Sequence, residues 1–200
     1  LLALDGTAAL AAPGVRSLLT ARDIPGENQI GGILPDEVLL AGAELDFIGQ
    51  PVALIAADSA AEARSAVSLI RLEYEEEPPL LDAREAARRG EFIQPPRVFT
   101  LGDVESAWSR CDVILEGRAD SGGQEHLYLE TQGALAWPEE QGGIKLISAT
   151  QSPTTVQRIV ARVLGLPMHK IEVDVLRLGG AFGGKEDQAT AWAALAALAA

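Results

Sequence analysis

The alternation of apolar and polar residues predicts an ordered series of strands and helices along this chain. A short apolar run at residues 52–56, bounded by proline and aspartate, favours a buried strand. Ser59 and Glu62 have the spacing of a helix capping box, in which hydroxyl and carboxylate satisfy backbone amides, and apolar residues follow at helical spacing. Residues 70–74 return to a period of two. We therefore expect a strand, a helix and a strand here, and a further strand at residues 1–4.

The middle of the chain differs in character, because a charged, proline-punctuated stretch predicts a linker at residues 83–111. Within this linker we expect one short helix at residues 103–109. The block that follows is richer in strands, which the apolar pattern places at residues 113–115, 134–137 and 144–147. The pattern thus predicts two structured blocks joined by a linker.

Clear start and stop signals mark the elements in the last part of the chain. Ser152 and Pro153 supply an N-cap hydroxyl and a proline at the first helical position, and apolar helical spacing continues until Gly165. Residues 171–175 alternate between apolar and charged, as in a half-exposed strand, and residues 189–200 predict an alanine-rich helix. A glycine-rich segment is left between this last strand and this last helix.

Composition and charge exclude several classes of function. The hydrophobic fraction of 48% is enough for a globular core, whereas the formal net charge of -13 repels a nucleic-acid backbone. No apolar run is long enough for a membrane span and no secretory signal is present, so we expect a cytoplasmic protein that binds neither nucleic acid nor membrane. Cys111 is the only cysteine, which excludes an internal disulfide, and we expect its side chain to be buried.

The glycine-rich segment is the strongest candidate for a binding site. Four glycines between positions 179 and 184 form a loop with many accessible amides, which suits a phosphate or a metal-bound oxo group. A P-loop is one alternative, but Glu186 follows Lys185 where that motif needs Ser or Thr. A dinucleotide-binding fingerprint is a second, and Ala181 interrupts it. Taken by itself, the loop is also compatible with a glycine-rich turn that allows close packing.

The flanking residues extend the pattern well beyond the glycines. Residues 177–186 closely resemble the cofactor loop of the molybdenum hydroxylases, the xanthine dehydrogenase and aldehyde oxidase family. Other segments resemble the same family in the same order: residues 49–53 and 73–75 its hammerhead domain, and residues 123–131, 149–152 and 163–167 its molybdopterin domain. The resemblance therefore covers nearly the whole chain.

The resemblance implies a fold and an activity. The implied fold class is α+β, with an α/β-hammerhead domain at residues 1–82, the linker at residues 83–111 and the N-terminal part of a molybdopterin-binding domain at residues 112–200. The implied activity is that of the xanthine dehydrogenase branch, in which purines are hydroxylated from hypoxanthine to xanthine to urate. Electrons then pass through [2Fe-2S] clusters and FAD to NAD, on other domains or subunits of a homo-oligomeric enzyme. The clustered cysteines that such clusters need are absent from this chain.

The resemblance also assigns residues to the molybdenum–molybdopterin cofactor. In the family a pterin dithiolene holds the metal, so no protein side chain has to coordinate it. Gln151 matches a glutamine whose amide NH2 donates to a molybdenum oxygen, and Phe182 matches a residue whose backbone amide approaches the metal ligands. Gly180, Ala181 and Gly183 complete the expected cofactor contacts. Ala181 replaces a glycine common in the family, and we expect the loop to tolerate it.

Glu186 matches a glutamate that binds substrate and stabilises the transition state in the purine-oxidising members. Aldehyde oxidases commonly have an apolar residue there, so Glu186 favours a purine substrate. Its alternative role is a favourable charge near the N-terminus of the last helix. The general-base glutamate of the family lies outside this chain, and we expect residues 1–200 alone to be inactive. Hydroxylation of aldehydes or other N-heterocycles, and a non-catalytic subunit-docking module, are the alternative functions.

Two residues near the start of the second block have structural interpretations. We expect His126 to hydrogen-bond in the interior and Glu130 to be a structural hydrogen-bond acceptor. His169 has no metal-ligand spacing and is interpreted as a surface residue.

Overall fold

The computed structural model describes residues 1–200 and groups them into two compact units, residues 1–75 with 125–200 and residues 76–124. In chain order the elements are β1 Ala3–Asp5, α1 Thr7–Leu10, β2 Val15–Leu19, β3 Leu54–Ala57, α2 Ala60–Val67, β4 Arg71–Glu73, α3 Ala83–Arg89, α4 Val104–Trp108, β5 Ala134–Pro138, β6 Ile144–Ser148, α5 Pro153–Leu164, β7 Ile171–Asp174 and α6 Gln188–Ala199. This mixture of separate helices and small sheets confirms the α+β class. No helix combines the length and the apolarity that crossing a bilayer requires.

The N-terminal part of the larger unit contains two antiparallel strand pairs. β1 pairs with β4 and β2 pairs with β3, so the predicted strand–helix–strand unit contributes one strand to each pair. The pattern did not predict β2, because no sustained apolar alternation marks it. Ser59 caps α2 by accepting from the amide of Glu62 at 3.3 Å, but the Glu62 carboxylate bonds the Ser59 hydroxyl and not its amide. The cap is therefore confirmed, with a different return bond.

The face that α2 buries is narrower than the helical spacing predicts. Ala66 is completely buried, whereas Val67, which belongs to the predicted apolar face, is more than half exposed. The helix has only eight residues, so it covers the strands with little more than its central turn.

The main core lies between one face of a three-stranded sheet and the helices α5 and α6. In this sheet β5 pairs with β6 antiparallel and β6 pairs with β7 parallel. The fully buried core side chains include Leu146 and Ile171 from the strands, Val156, Ile159, Val160 and Val163 from α5, and Ala193 and Ala194 from α6. Complete burial of an aliphatic side chain such as Ile159 contributes about 1.5–3 kcal/mol. The alanines of α6 suit close packing on this core.

Helix α5 follows its sequence signals closely. It begins at Pro153 and ends at Leu164, and the following Gly165, with a φ of 65°, is the left-handed cap that glycine favours. Ser152 does not cap an amide, because its hydroxyl bonds the Thr155 hydroxyl at 2.8 Å. The helix thus starts where the proline predicts but without the expected side-chain cap.

The smaller unit, residues 76–124, corrects three predictions. Helix α3 forms where only linker was expected, since Asp82 caps it through the amide of Glu85 at 2.8 Å and its alanines favour a helix. Residues 113–115 form no strand, because no other segment pairs with them. Cys111 was expected to be buried, because a lone cysteine usually packs as a small hydrophobic residue, but its side chain is exposed. The short helix α4 does form, capped by Asp103.

Candidate cofactor site

The glycine-rich loop, residues 179–185, lies between β7 and α6. Gly180 and Gly183 both have a φ of 93°, and Phe182 between them has a φ of 52°, the left-handed region that side chains rarely adopt. Ala181 does not have a positive φ, so its side chain adds no backbone strain and is buried. The strain in the loop therefore lies at Phe182, whose side chain is 76% exposed.

A segment without regular secondary structure, residues 126–132, runs beside this loop and presents every second side chain to it, with Leu127 at a φ of 48° and bends at residues 129–130. Tyr128, Glu130 and Gln132 all contact the loop, whereas Leu127 and Leu129 are exposed, Leu129 to 97%. This alternation of polar and apolar residues is visible in the sequence. Sequence analysis missed Tyr128 and Gln132 because a period of two normally predicts that the leucines face inward.

Rings from this segment pack directly on Gly184. A Cβ atom there would lie 2.7 Å from Tyr128 Cε1 and 2.9 Å from His126 Cγ, closer than carbon atoms can approach. The His126 Nδ1 atom lies 3.3 Å from the Glu125 carboxylate, and the imidazole is 39% exposed. The prediction that His126 bonds in the interior is therefore wrong, because its ring covers the loop from the solvent side.

Two polar side chains and one backbone amide hold the C-terminal half of the loop, residues 183–185. Gln132 Nε2 donates to the carbonyl of Gly184 at 2.8 Å, and the buried hydroxyl of Thr150 donates to the carbonyl of Lys185 at 3.1 Å. The backbone N–H of Gln151 donates to the same carbonyl at 2.9 Å. These bonds tie the loop to the segment after β6.

The side chain of Gln151 is oriented by the loop itself. Its Oε1 atom accepts from the amide of Gly183 at 3.1 Å and from the amide of Lys185 at 3.3 Å. Because only the oxygen can accept, these two bonds fix the orientation of the carboxamide. Its NH2 group makes no hydrogen bond within the chain. Gln151 thus presents a neutral donor at an exposed position beside the loop.

Three consecutive backbone amides of the loop have no acceptor within the chain. They belong to Gly180, Ala181 and Phe182, while the amide of Gly183 bonds Gln151 and that of Gly184 bonds the carbonyl of Ala181 at 2.8 Å. Together with the Gln151 NH2 group, they form a set of neutral N–H donors. Such a set binds oxo groups, phosphates and other anions without a charged side chain. The donors present therefore fit a molybdenum–molybdopterin group.

Glu186 follows the loop and makes no hydrogen bond or ion pair. Its residue is exposed, and it precedes Asp187, the N-cap residue of α6. Because α6 begins at Gln188, Glu186 lies outside the helix and not in its first turn. The carboxylate is thus free to bind a ligand.

Lys185 does not behave as the lysine of a P-loop. Its side chain is 0% exposed, and its Nζ atom lies 2.9 Å from Glu130 Oε2 and 4.6 Å from the centre of the Tyr128 ring. The ammonium therefore faces the protein and is out of reach of a phosphate on the loop. Hydrogen bonds from Lys185 and from the Gly179 amide hold the pKa of Glu130 below its ordinary value.

Comparison with protein families matches both parts of the chain. Residues 1–78 match the aldehyde oxidase and xanthine dehydrogenase a/b hammerhead domain, and residues 89–200 match the molybdopterin cofactor-binding domain. The second match covers more than half of the 200 residues. The order of the two domains is the order that the sequence resemblance implied.

Curated relatives match over the full chain. Xanthine dehydrogenase of Oryza sativa subsp. japonica is 39% identical over 204 residues, covering 100% of this chain and 15% of that protein. Aldehyde oxidase 4 of Cavia porcellus is 40% identical over 202 residues, with the same two coverages. The chain therefore spans about 15% of the length of these relatives.

Solved structures have the same fold. The aldehyde oxidoreductase of Desulfovibrio gigas superposes with a TM-score of 0.82 at 27% identity, covering 97% of this chain and 24% of that chain. The quinoline 2-oxidoreductase of Pseudomonas putida 86 superposes with a TM-score of 0.76 at 30% identity, covering 94% and 27%. The fold is thus one that these oxidoreductases share.

Proposed function

Because this chain belongs to the xanthine dehydrogenase and aldehyde oxidase family of molybdenum hydroxylases, we propose that it is the N-terminal part of the molybdenum-cofactor subunit of a xanthine dehydrogenase. One observation carries the proposal: the amides of Gly180, Ala181 and Phe182 and the NH2 group of Gln151 are all left without acceptors at one loop. Unpaired donors are costly unless water or a ligand satisfies them. A bound anionic cofactor supplies the acceptors.

Each residue has a defined part in this proposal. When bound, the molybdenum cofactor supplies the redox chemistry that inserts oxygen at a carbon of the substrate and removes two electrons. The Gln151 NH2 group would donate to an oxygen of that cofactor, while its Oε1 atom stays bonded to the amides of Gly183 and Lys185. The amides of Ala181 and Phe182 offer further donors. Neutral donors of this kind orient the group without altering its charge.

Glu186 supports a purine as the substrate. Its unpaired, exposed carboxylate can accept a hydrogen bond from a ring N–H group, as the resemblance to the purine-oxidising members implies. Overall similarity does not separate the alternatives, since xanthine dehydrogenase and aldehyde oxidase relatives are 39% and 40% identical. An aldehyde or other N-heterocycle hydroxylase is therefore the second candidate.

The complete protein is proposed to pass electrons through iron–sulfur clusters and FAD to NAD. These groups lie on other domains or subunits in the proposal, which also includes a homo-oligomeric enzyme and a cytoplasmic location. The proposal keeps the domain bounds expected from the sequence. These are a hammerhead domain at residues 1–82, a linker at residues 83–111 and the N-terminal part of the molybdopterin-binding domain at residues 112–200.

The substrate assignment is tested with the full-length protein and the substitution Glu186→Gln. Loss of the carboxylate is expected to lower kcat/KM for xanthine by about 100-fold, the scale of one lost transition-state contact, and for benzaldehyde by much less. Glu140→Gln, at an exposed carboxylate in the turn between β5 and β6, is the matched control. Equal losses on both substrates would show that Glu186 has no part in recognising purines.

A further inference from the structure

Lys185 is the only charged side chain that the fold buries, and it lies directly beneath the glycine-rich loop. Its ammonium contacts the Glu130 carboxylate at 2.9 Å and the face of the Tyr128 ring. Burying an ammonium costs free energy unless it is paired, and its partner here, Glu130, is 40% exposed. Because apolar replacement of such a pair is often neutral or stabilising, its position at the base of the loop points to a role besides stability.

Glu130 connects the two ends of the loop through a single oxygen atom. Its Oε2 atom accepts from the amide of Gly179 at 2.8 Å and from Lys185 Nζ at 2.9 Å. The amide of Glu130 also donates to the carbonyl of Gly179 at 3.2 Å. A Cβ atom at Gly179 would lie only 2.5 Å from the Cβ atom of Glu130, so the two backbones are in close contact. Gly179 and Lys185, the first and last residues of the loop, are thus both hydrogen-bonded to the carboxylate of Glu130.

The two halves of the loop, residues 179–182 and residues 183–185, are hydrogen-bonded by different side chains. Gln132, Thr150 and Gln151 bond the backbone of residues 183–185, and none of them bonds residues 179–182. Glu130 is the only side chain that hydrogen-bonds residues 179–182, and Lys185 is the only side chain that hydrogen-bonds Glu130. The three amides without acceptors lie in the half that depends on this pair.

We propose that Glu130 and Lys185 are positioning residues for the cofactor, which orient the amides of residues 180–182 without touching the cofactor themselves. This inference rests on the proposed function, because it assigns those amides to cofactor binding. Direct attraction between Lys185 and an anion is a weaker explanation, since the ammonium is buried and its charge is balanced by Glu130 at 2.9 Å. The pair acts through the geometry of the loop.

The test uses the full-length protein with Lys185→Met, Glu130→Gln and the double variant. Lys185→Met keeps the length of the buried side chain and removes its charge. Amide hydrogen exchange, followed by mass spectrometry, is expected to be about tenfold faster at residues 179–182 in each variant and unchanged in α5. The double variant should equal the single variants, because the two side chains act as one unit. Molybdenum content should fall several-fold, and the EPR signal of the remaining molybdenum(V) should change shape.

Lys145→Met is the matched control, because Lys145 pairs with Glu172 and Asp174 on the face of the sheet opposite the main core. It should leave loop exchange and molybdenum content at the wild-type level. Wild-type exchange at residues 179–182 in both Lys185→Met and Glu130→Gln would overturn the inference. If Lys185→Met does not fold, Glu130→Gln decides alone, since Glu130 is 40% exposed. If the wild-type protein holds no molybdenum, the proposed function fails, while exchange at the Gly179 amide, which bonds Glu130 within the chain, still tests whether the pair holds the loop.

Discussion

The side-chain oxygen of Gln151 accepts a hydrogen bond from the backbone amide of Gly183 at 3.1 Å, across 32 positions of sequence. This bond does two things. It holds the loop against the segment after β6, and it turns the NH2 group of Gln151 outward as a donor. The two roles can be separated by substitution, because a carboxylate still accepts but no longer donates.

Gln151→Glu is therefore expected to keep the loop and impair the cofactor site. Loop amide exchange should stay at the wild-type level, whereas kcat should fall by about 100-fold, the usual scale for one lost donor at a reacting centre. Gln151→Ala should also loosen residues 183–185, since each lost hydrogen bond removes about 1 kcal/mol. Gln141→Glu, in an exposed turn, is the control for added charge. Wild-type turnover in Gln151→Glu would show that the NH2 group is not needed.

Close packing at Gly184 leads to a second prediction. A methyl group at this position must displace the rings of Tyr128 and His126, and such overpacking costs about 1–3 kcal/mol. Gly184→Ala should therefore accelerate amide exchange in residues 126–132 and lower the molybdenum content of the full-length protein. Gly133→Ala is the control, because a Cβ atom there meets nothing within 4 Å. Similar exchange in the two variants would contradict this packing.

Phe182 gives a third prediction, which concerns backbone strain. Its φ of 52° is tolerated by asparagine far better than by a β-branched residue. Phe182→Asn should leave exchange of the loop amides near the wild-type level, since the side chain is mostly exposed. Phe182→Ile should destabilise the loop relative to Phe182→Asn by about 1–2 kcal/mol, which corresponds to exchange about tenfold faster than in the asparagine variant. Unchanged exchange in Phe182→Ile would show that the residue does not need the left-handed conformation.

The lowered pKa of Glu130 gives a prediction about pH. Its hydrogen bonds with Lys185 and Gly179 lower the pKa from the ordinary value of 4.5, so the carboxylate stabilises the loop fully above that pH. The stabilisation is lost as the pH falls through the lowered pKa of the folded protein. Loop protection in the wild type should exceed that in Glu130→Gln at about pH 6, and the difference should disappear as the pH falls below the lowered pKa of Glu130 in the folded protein. A difference that persists or grows on acidification would be the opposite of this expectation.

Local sequence signals correctly predicted helices that have clear start and stop residues and strands that have a sustained apolar pattern. Helix α5, between Pro153 and Gly165, and the strands β5 to β7 are examples. The pattern failed at residues 113–115, where strand propensity is present but no partner strand exists, and in α3, where a cap at Asp82 and three alanines outweigh the charged context. Strand pairing is a property of the fold and cannot be obtained from one segment.

The candidate site was predictable in part. The glycines, Gln151 and Glu186 follow from the resemblance, and the loop position follows from the strand and helix on either side. The contact of Lys185 with Glu130 joins residues 55 positions apart, and nothing in either local pattern predicts it. The outward direction of Leu129 likewise follows from the loop that occupies the opposite side of the segment. Such long-range contacts decide which amides remain without acceptors.

The most direct test of the central claim is the molybdenum and pterin content of the full-length protein, purified from cells that make the cofactor. The account predicts that both co-purify in near-stoichiometric amounts and that both are depleted in Gln151→Ala and in Gly184→Ala. A preparation that lacks molybdenum and pterin and yet hydroxylates xanthine at full rate would contradict it.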